Sequence, residues 1–122
     1  MEFKEKQAIY LQIAEYVCDH ILSGKWPAGE KIASIRELAV KLEVNPNTVM
    51  RTYDYLQQQG IIFNKRGIGY FAGENAPATI REWRKQQFFA TELSAFFRTI
   101  RMLEISPDEI MEYYKQFDNK QL

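Results

Sequence analysis

The segment from Ser34 to Gly60 contains two short helical patterns separated by a tight turn. Ser34 followed by Glu37 has the spacing of a capping box, so a helix is predicted to begin there. Apolar residues then recur at helical spacing. Asn45 before Pro46 predicts a second start, because a capping residue precedes proline at the first helical position. Gly60 predicts the end of this second helix.

Two short helices joined by such a turn are typical of the helix-turn-helix unit, whose second helix enters the major groove of DNA. The second pattern opens with the small polar run 45–48, and the front of that helix meets bases and phosphates. Capping explains part of the choice of Asn47 and Thr48. Because Pro46 already sets the helix start, we predict that both residues contact DNA. Arg51 fits a DNA contact or a solvated helix position equally well.

A hairpin is predicted directly after these helices. Two β-prone runs, Ile61–Phe63 and Tyr70–Ala72, flank a basic, glycine-rich turn. A hairpin in this place is the wing of a winged helix, and its tip would bring Lys65 and Arg66 to the DNA backbone or minor groove. Gly67 and its neighbour two residues on permit positive φ and a close approach to phosphate.

The tail is predicted to be helical. A linker over 74–78 precedes a capping box at Thr79 and Glu82, which predicts a long helix to about Ile105. A further capping box at Ser106 predicts a last helix. A first helix over 7–23 precedes the central unit. We therefore predict a mostly α fold with a small β-hairpin: a winged helix-turn-helix over 1–73 and a two-helix dimerisation segment over 79–122.

Aromatic and aliphatic residues of the tail recur at 4-3-4-3 spacing, a coiled-coil-like seam. A helix of about 27 residues is about 40 Å long, so these side chains would otherwise form a large exposed patch. Pairing with a second copy would cover them in a twofold dimer. The predicted interface residues are Trp83, Phe88, Phe89, Leu93, Phe96, Phe97, Ile100, Leu103, Ile110, Tyr114 and Phe117.

Composition limits the alternatives. The 16 basic and 16 acidic residues give no net charge, but residues 34–71 hold five basic and three acidic residues, a local excess of two positive charges. Modest non-specific DNA affinity is expected. One cysteine and one histidine, Cys18 and His20, argue against a disulfide, a metal site or catalysis, and no cofactor is predicted. No apolar run could span a membrane, so a cytoplasmic protein is expected.

Residues 9–71 together resemble the winged-helix domain of GntR-family bacterial transcription regulators. The matching pieces are Ile9–Ile13, Ile21–Gly24, Gly29–Lys31, Ser34–Ala39, Asn47–Val49, Tyr53, Leu56, Gly60–Ile62 and Gly67–Phe71. The resemblance implies DNA contacts from Arg36, the front of the second helix and the wing tip. The predicted DNA-binding residues are Ser34, Arg36, Asn45, Asn47, Thr48, Arg51, Lys65, Arg66 and Gly67.

The chain departs from the common family pattern at Ala33, Glu43, Pro46 and Met50. Glu43 replaces a glycine of the turn, so a non-glycine residue is expected at positive φ. The Asn-Pro-Asn-Thr-Val run and the short tail resemble the YtrA-like subgroup. With the dimer predicted from the tail, the leading hypothesis is a homodimeric repressor that binds a palindromic operator. A winged-helix module that binds protein, and a small-molecule sensor with a pocket in the dimer interface, remain alternatives.

Overall fold

The computed structural model describes Phe3 and residues 7–121, in which helices predominate and one pair of antiparallel strands follows the third helix. This confirms the predicted mostly α fold with a small hairpin. The elements in chain order are α1 (Ile9–Leu22), α2 (Ile35–Leu42), α3 (Pro46–Gln58), β1 (Ile62–Lys65), β2 (Gly69–Ala72), α4 (Ala76–Phe88), a π-helical segment (Phe89–Leu93), α5 (Ser94–Met102) and α6 (Pro107–Gln121).

The chain divides into two compact units, Met1–Trp83 and Arg84–Leu122, and the division falls within α4. The outer limits of the predicted domains, Met1 and Leu122, lie outside the described residues. In the part of the chain that the structure describes, no helix has the length and apolar character needed to cross a membrane.

Local hydrogen bonds explain the start and end of the two central helices. The Ser34 hydroxyl accepts from the Glu37 amide at 3.1 Å, and the Glu37 carboxylate accepts from the Ser34 amide at 3.1 Å. The capping box is therefore complete, as predicted. Glu43 ends α2 in the left-handed conformation, with φ of 55°, as expected from the missing glycine. The Asn45 side chain then caps α3.

The hairpin pairs Ile62 with Ala72 and Lys65 with Gly69 across the two strands. Lys31 forms a bridge with Phe71, which adds a short third segment to the open side of β2. A side chain at Gly69 would meet the Lys31 side chain, because an added Cβ would lie 2.9 Å from its Cε. Glycine at this position therefore lets Lys31 lie across the base of the wing.

The core of the first unit is built around α3. Val49, Tyr53 and Leu56 are fully buried and pack in one cluster with α1, α2, the hairpin and the start of α4. α4 contributes Ile80 and Trp83, which are 0% and 7% exposed. The first two turns of α4 therefore belong to the core of the winged-helix unit.

The predicted start of the tail helix at Thr79 is wrong. α4 begins at Ala76, so the predicted linker at 74–78 includes its first turn. The Thr79 hydroxyl donates to the Asn75 carbonyl oxygen at 3.1 Å instead of capping a helix start. Pro77 lies in the first turn, where a missing amide hydrogen breaks no helical hydrogen bond.

The second unit departs from one regular helix. The π-helical segment holds one residue more than an α-helical turn would, and the Ser94 hydroxyl donates to the Phe89 carbonyl oxygen at 2.9 Å. One extra residue rotates the side chains at the start of this segment by about 100° relative to those of α5. Phe89 therefore leaves the predicted seam, and Phe88 moves towards the place on the seam that was predicted for Phe89. α5 ends at Met102 rather than Ile105, and the Ser106 hydroxyl caps α6 as predicted.

Candidate DNA interface

The front of α3 presents side chains rather than free main-chain amides. Pro46 has no amide hydrogen, the Asn47 amide donates to the Asn45 side-chain oxygen at 2.8 Å, and the Thr48 amide donates to the Asn45 carbonyl oxygen at 2.9 Å. Asn45 and Asn47 are exposed and Thr48 is half-buried. Any contact with a ligand at this end of α3 must therefore come from side chains.

A shallow depression of about 310 Å³ lies between the start of α1 and the outer face of α3. α3 contributes Asn47, Thr48 and Arg51, three of the residues predicted from the sequence. The opposite wall is formed by Ala8, which precedes α1, and by Ile9 and Tyr10 of its first turn. No sequence pattern had predicted a residue of α1 at this surface.

Arg51 is held by an aromatic ring of the opposite wall. Its guanidinium carbon lies 3.9 Å from the ring centroid of Tyr10, in cation–π geometry. The Tyr10 ring also makes an edge-to-face contact with Tyr55, at 5.8 Å between centroids. Arg51 and Tyr55 are one turn apart on α3, so Tyr10 packs against both. Tyr10 is the main site residue that the sequence analysis missed.

Two hydrogen bonds fix α3 against its neighbours. The Thr52 hydroxyl donates to the Tyr10 carbonyl oxygen at 2.8 Å, which joins α3 to α1. The Tyr53 hydroxyl donates to the Ala33 carbonyl oxygen at 2.6 Å, which joins α3 to the segment before α2. Burial raises the pKa of Tyr53 well above its usual value, with smaller contributions from Glu37 and Tyr70. Tyr53 therefore stays a neutral donor throughout the working pH range.

At the start of α2, Ser34 and Arg36 have different roles. The Ser34 oxygen accepts the capping hydrogen bond from Glu37, so its part in the local structure is settled. Arg36 is exposed in the first turn. The amides of the first two helical positions have no acceptor within a helix. This end of α2 therefore offers an arginine beside two main-chain donors.

In the wing, the Lys65 ammonium lies against two stacked aromatic rings. The rings of Phe63 and Phe71 stack at 5.6 Å with 18° between their planes. The Lys65 ammonium lies 4.4 Å from the Phe71 centroid and 5.6 Å from the Phe63 centroid. Arg66 is exposed, and Gly67 has φ of 80°, as predicted. Lys31 adds a cation at the base of the wing that the sequence analysis did not single out.

The second unit exposes much of its apolar surface. Large side chains on α5, at its C-cap Leu103 and on α6 are 41–83% exposed: Phe96, Phe97, Met102, Leu103, Met111, Tyr113, Tyr114 and Phe117. An apolar groove of about 400 Å³ lies between these helices, and it is lined by Phe96, Phe97, Ile100, Arg101, Ile105, Pro107 and Ile110. Most of the predicted interface residues therefore lie on accessible faces of one unit.

Trp83 must be removed from the predicted interface. Its side chain is 7% exposed, and its indole Nε1–H donates to the Tyr55 hydroxyl at 2.7 Å. It packs in the core cluster of the first unit together with Ile80. Cys18 is also part of that core. His20 packs against Tyr16 and Trp26, with centroid distances of 4.2 and 4.9 Å.

Comparisons with known proteins find related regulators that match part of the chain or nearly all of it. Residues 9–71 match the family described as bacterial regulatory proteins, gntR family. The HTH-type transcriptional regulator YhcF of Bacillus subtilis is 33% identical over 95% of this chain and 94% of its own length. The HTH-type transcriptional repressor YtrA of the same species is 42% identical over 61% of this chain and 57% of its length.

A solved structure resembles the chain over nearly its full length. It is a transcriptional regulator of the GntR family from Bacteroides thetaiotaomicron, with 48% identity and a TM-score of 0.81. The match covers 94% of this chain and all of that chain.

Proposed function

This chain belongs to the gntR family of bacterial regulatory proteins, which are DNA-binding transcription regulators and not enzymes, and we propose that it is a homodimeric repressor that binds a palindromic operator. The observation that carries the proposal is the division of α3 into two faces. Val49, Tyr53 and Leu56 are fully buried, whereas Asn47 and Arg51 are exposed beside them. A helix fixed on one side and polar on the other suits insertion into a major groove.

The side chains of α3 would read the bases. Asn47 has an amide that can donate and accept together, which matches the edge of adenine, and the Thr48 hydroxyl and methyl groups suit several base edges. The amides behind them are occupied by Asn45, so the main chain of α3 contributes little. Base discrimination therefore depends on two short side chains.

Phosphate contacts would orient the protein on the duplex. Arg36 at the start of α2 is placed for one such contact, and Lys65 and Arg66 at the wing tip for others. Gly67 lets the wing backbone approach closely, because it has no side chain and already has positive φ. With no net charge on the whole chain, these few local cations carry most of the salt-dependent affinity.

A second copy would cover the exposed apolar face of the tail. Phe97 is 53% exposed and Leu103 is 64% exposed, values that contrast with the closed core of the first unit. A twofold dimer buries the same patch on both copies. Two recognition helices would then meet half-sites about one helical turn, roughly 34 Å, apart.

Repression is the favoured regulatory outcome. The relative YtrA is a transcriptional repressor by name, and it is 42% identical to this chain over 74 residues. A dimer bound at its operator would repress by occupying the promoter. This proposal places the protein in the bacterial cytoplasm, with the chromosome.

The groove between α5 and α6 favours a second candidate function, the binding of a small effector. Its volume of about 400 Å³ is within the usual range of ligand pockets, and its walls are apolar apart from Arg101. An apolar carboxylate would suit that lining. A thermal-shift screen of such compounds tests this function, and stabilisation that is lost in Arg101→Ala would support it.

The main test starts with duplexes selected from a randomised pool by the intact protein. Fluorescence anisotropy at moderate salt then compares a selected duplex with its scrambled sequence. We expect a palindromic selected site and at least a hundredfold preference for it. Equal binding of both duplexes would reject the repressor proposal and favour the alternative of a protein-interaction module.

A further inference from the structure

Tyr10 lies outside the helix-turn-helix and yet holds one of its cations. Its ring packs 3.9 Å from the Arg51 guanidinium carbon and edge-on to Tyr55, so it contacts two successive turns of α3. The Arg51 guanidinium is thereby drawn from the front of α3 towards the start of α1. In helix-turn-helix complexes, the groove is read by the front of the second helix while flanking elements meet the backbone.

We propose that Tyr10 is a positioning residue, which holds the Arg51 guanidinium for contact with a DNA phosphate. This inference rests on the proposed DNA-binding function. A planar guanidinium stacked on a ring keeps its N–H edges available for phosphate oxygens. An unrestrained arginine loses much more rotational freedom when it binds, so the ring lowers the entropy lost on contact.

The ring itself is held in place by independent contacts. The Tyr10 carbonyl oxygen accepts the hydrogen bond from Thr52, the residue that follows Arg51 on α3. Tyr55, which meets the Tyr10 ring edge-to-face, accepts a hydrogen bond from Trp83 at 2.7 Å. The Thr52 bond involves the main chain of Tyr10, so it survives substitution of the Tyr10 side chain. Substitution of the Tyr10 side chain therefore removes the ring from the Arg51 guanidinium but keeps the hydrogen bond between α1 and α3.

The test measures operator affinity for single and double variants of the intact protein, with a duplex that the wild type selects from a randomised pool. An exposed cation–π contact corresponds to about a threefold to fivefold change in affinity per copy. Tyr10→Leu should weaken binding about tenfold, since two copies occupy one operator. Tyr10→Phe keeps the ring and should stay within about twofold of wild type.

Two further readouts separate positioning from a structural role. Arg51→Ala should lower the slope of log affinity against log salt by about 1.8 for a dimer, because one phosphate contact is lost per copy. Tyr10→Leu should leave that slope unchanged, since the cation remains. In the Arg51→Ala background, Tyr10→Leu should change affinity less than about twofold, because there is no guanidinium left to position.

Tyr16→Leu is the matched control, because Tyr16 is another half-buried tyrosine of α1 and its ring packs against His20. It should leave operator affinity unchanged, and thermal melting of each variant reports any loss of fold. An equal effect of Tyr10→Leu with and without Arg51, or an equal loss in Tyr10→Phe, would overturn the inference. If the wild type selects no duplex, the proposed function itself is rejected, and the inference with it.

Discussion

Trp83 donates its indole Nε1–H to the hydroxyl of Tyr55 at 2.7 Å, and this bond joins α4 to the outer side of α3. The two rings also meet at 66° with centroids 6.0 Å apart. Together with fully buried Ile80, Trp83 completes the core of the winged-helix unit. The smallest stable winged-helix unit of this protein therefore extends well beyond the hairpin.

Truncation should reveal this dependence. A protein that ends at Gly73 lacks Ile80 and Trp83, and we expect it to lose about 3–5 kcal/mol of folding free energy. A protein that ends at Phe88 keeps both and should melt cooperatively. Circular dichroism during heating distinguishes the two. Equal melting temperatures for both truncated proteins would contradict the role of α4 in the core.

Glu43 carries local strain that glycine should relieve. It ends α2 with φ of 55°, a conformation that L-residues other than glycine adopt at some energetic cost. Glu43→Gly should therefore raise the free energy of unfolding by about 0.5–1 kcal/mol, measured by urea denaturation. Lys41→Gly, within α2, is the control and should lower it by about 1 kcal/mol. A loss of stability in Glu43→Gly would contradict this interpretation.

Acid should weaken the start of α2. Hydrogen bonds from the Ser34 amide and hydroxyl, and more weakly the charge of Lys31, hold the pKa of Glu37 below its usual value. Because the folded-state pKa is lower than the unfolded one, the stabilising contribution is present above the unfolded pKa. It is lost as pH falls through the folded pKa.

Glu37→Gln tests this dependence, because glutamine can still accept from the Ser34 amide but does not titrate in this range. Its stability should fall less steeply than that of wild type below about pH 5. Glu74→Gln removes an exposed carboxylate away from the helix starts and serves as the control. Identical acid unfolding curves for wild type and Glu37→Gln would refute the prediction.

The wing and the start of α2 should account for most of the salt dependence of operator binding. Replacing Arg36, Lys65 and Arg66 by alanine removes up to six phosphate contacts from a dimer. Affinity should fall at least about a hundredfold at moderate salt, and the slope of log affinity against log salt should fall by up to about five. Fluorescence anisotropy titrations at several salt concentrations measure both quantities.

A charge-matched control is available in the same unit. Replacing Lys25, Lys41 and Arg81, which are exposed elsewhere, removes the same net charge. This variant should keep affinity within about threefold of wild type, because only distant charges are lost. If both triple variants lose affinity equally, the predicted contact residues are not the ones that bind phosphate.

The tail should control the oligomeric state. Phe97→Asp with Leu103→Asp places charges on the exposed apolar surface of α5 and its C-cap, and sedimentation velocity at micromolar concentration should then detect monomers. Met102→Asp changes the most exposed apolar side chain among the described residues, but Met102 lies off the seam and the variant should remain dimeric. A dimer that survives the double substitution would place the interface elsewhere.

Local chemistry made the helix-turn-helix and the wing predictable from sequence. Ser34, Asn45 and Pro46 act within one turn of their own positions, and Gly67 meets a requirement of its own backbone. The contacts of Tyr10 with Arg51 and of Trp83 with Tyr55 join residues 41 and 28 positions apart, so they depend on the folded core.

The tail was less predictable, for a related reason. The Thr79 capping box had the right spacing, but Pro77 and the burial of Ile80 favoured an earlier start of α4. The π-helical segment changed the helix face on which Phe88 and Phe89 lie. The 4-3-4-3 spacing assumes a uniform helix, so it does not predict this change. Periodicity therefore identified the apolar residues of the tail but not which of them share a face.

Pro46 and the occupied amides behind it have a consequence for how related regulators diverge. Since the polypeptide backbone at this tip is already satisfied, the proposed reading by side chains predicts that substitutions at Asn47 and Thr48 alone would change the preferred operator, while Asn45 preserves the helix start. Under that proposal, gene duplicates would acquire separate targets through a few codon changes.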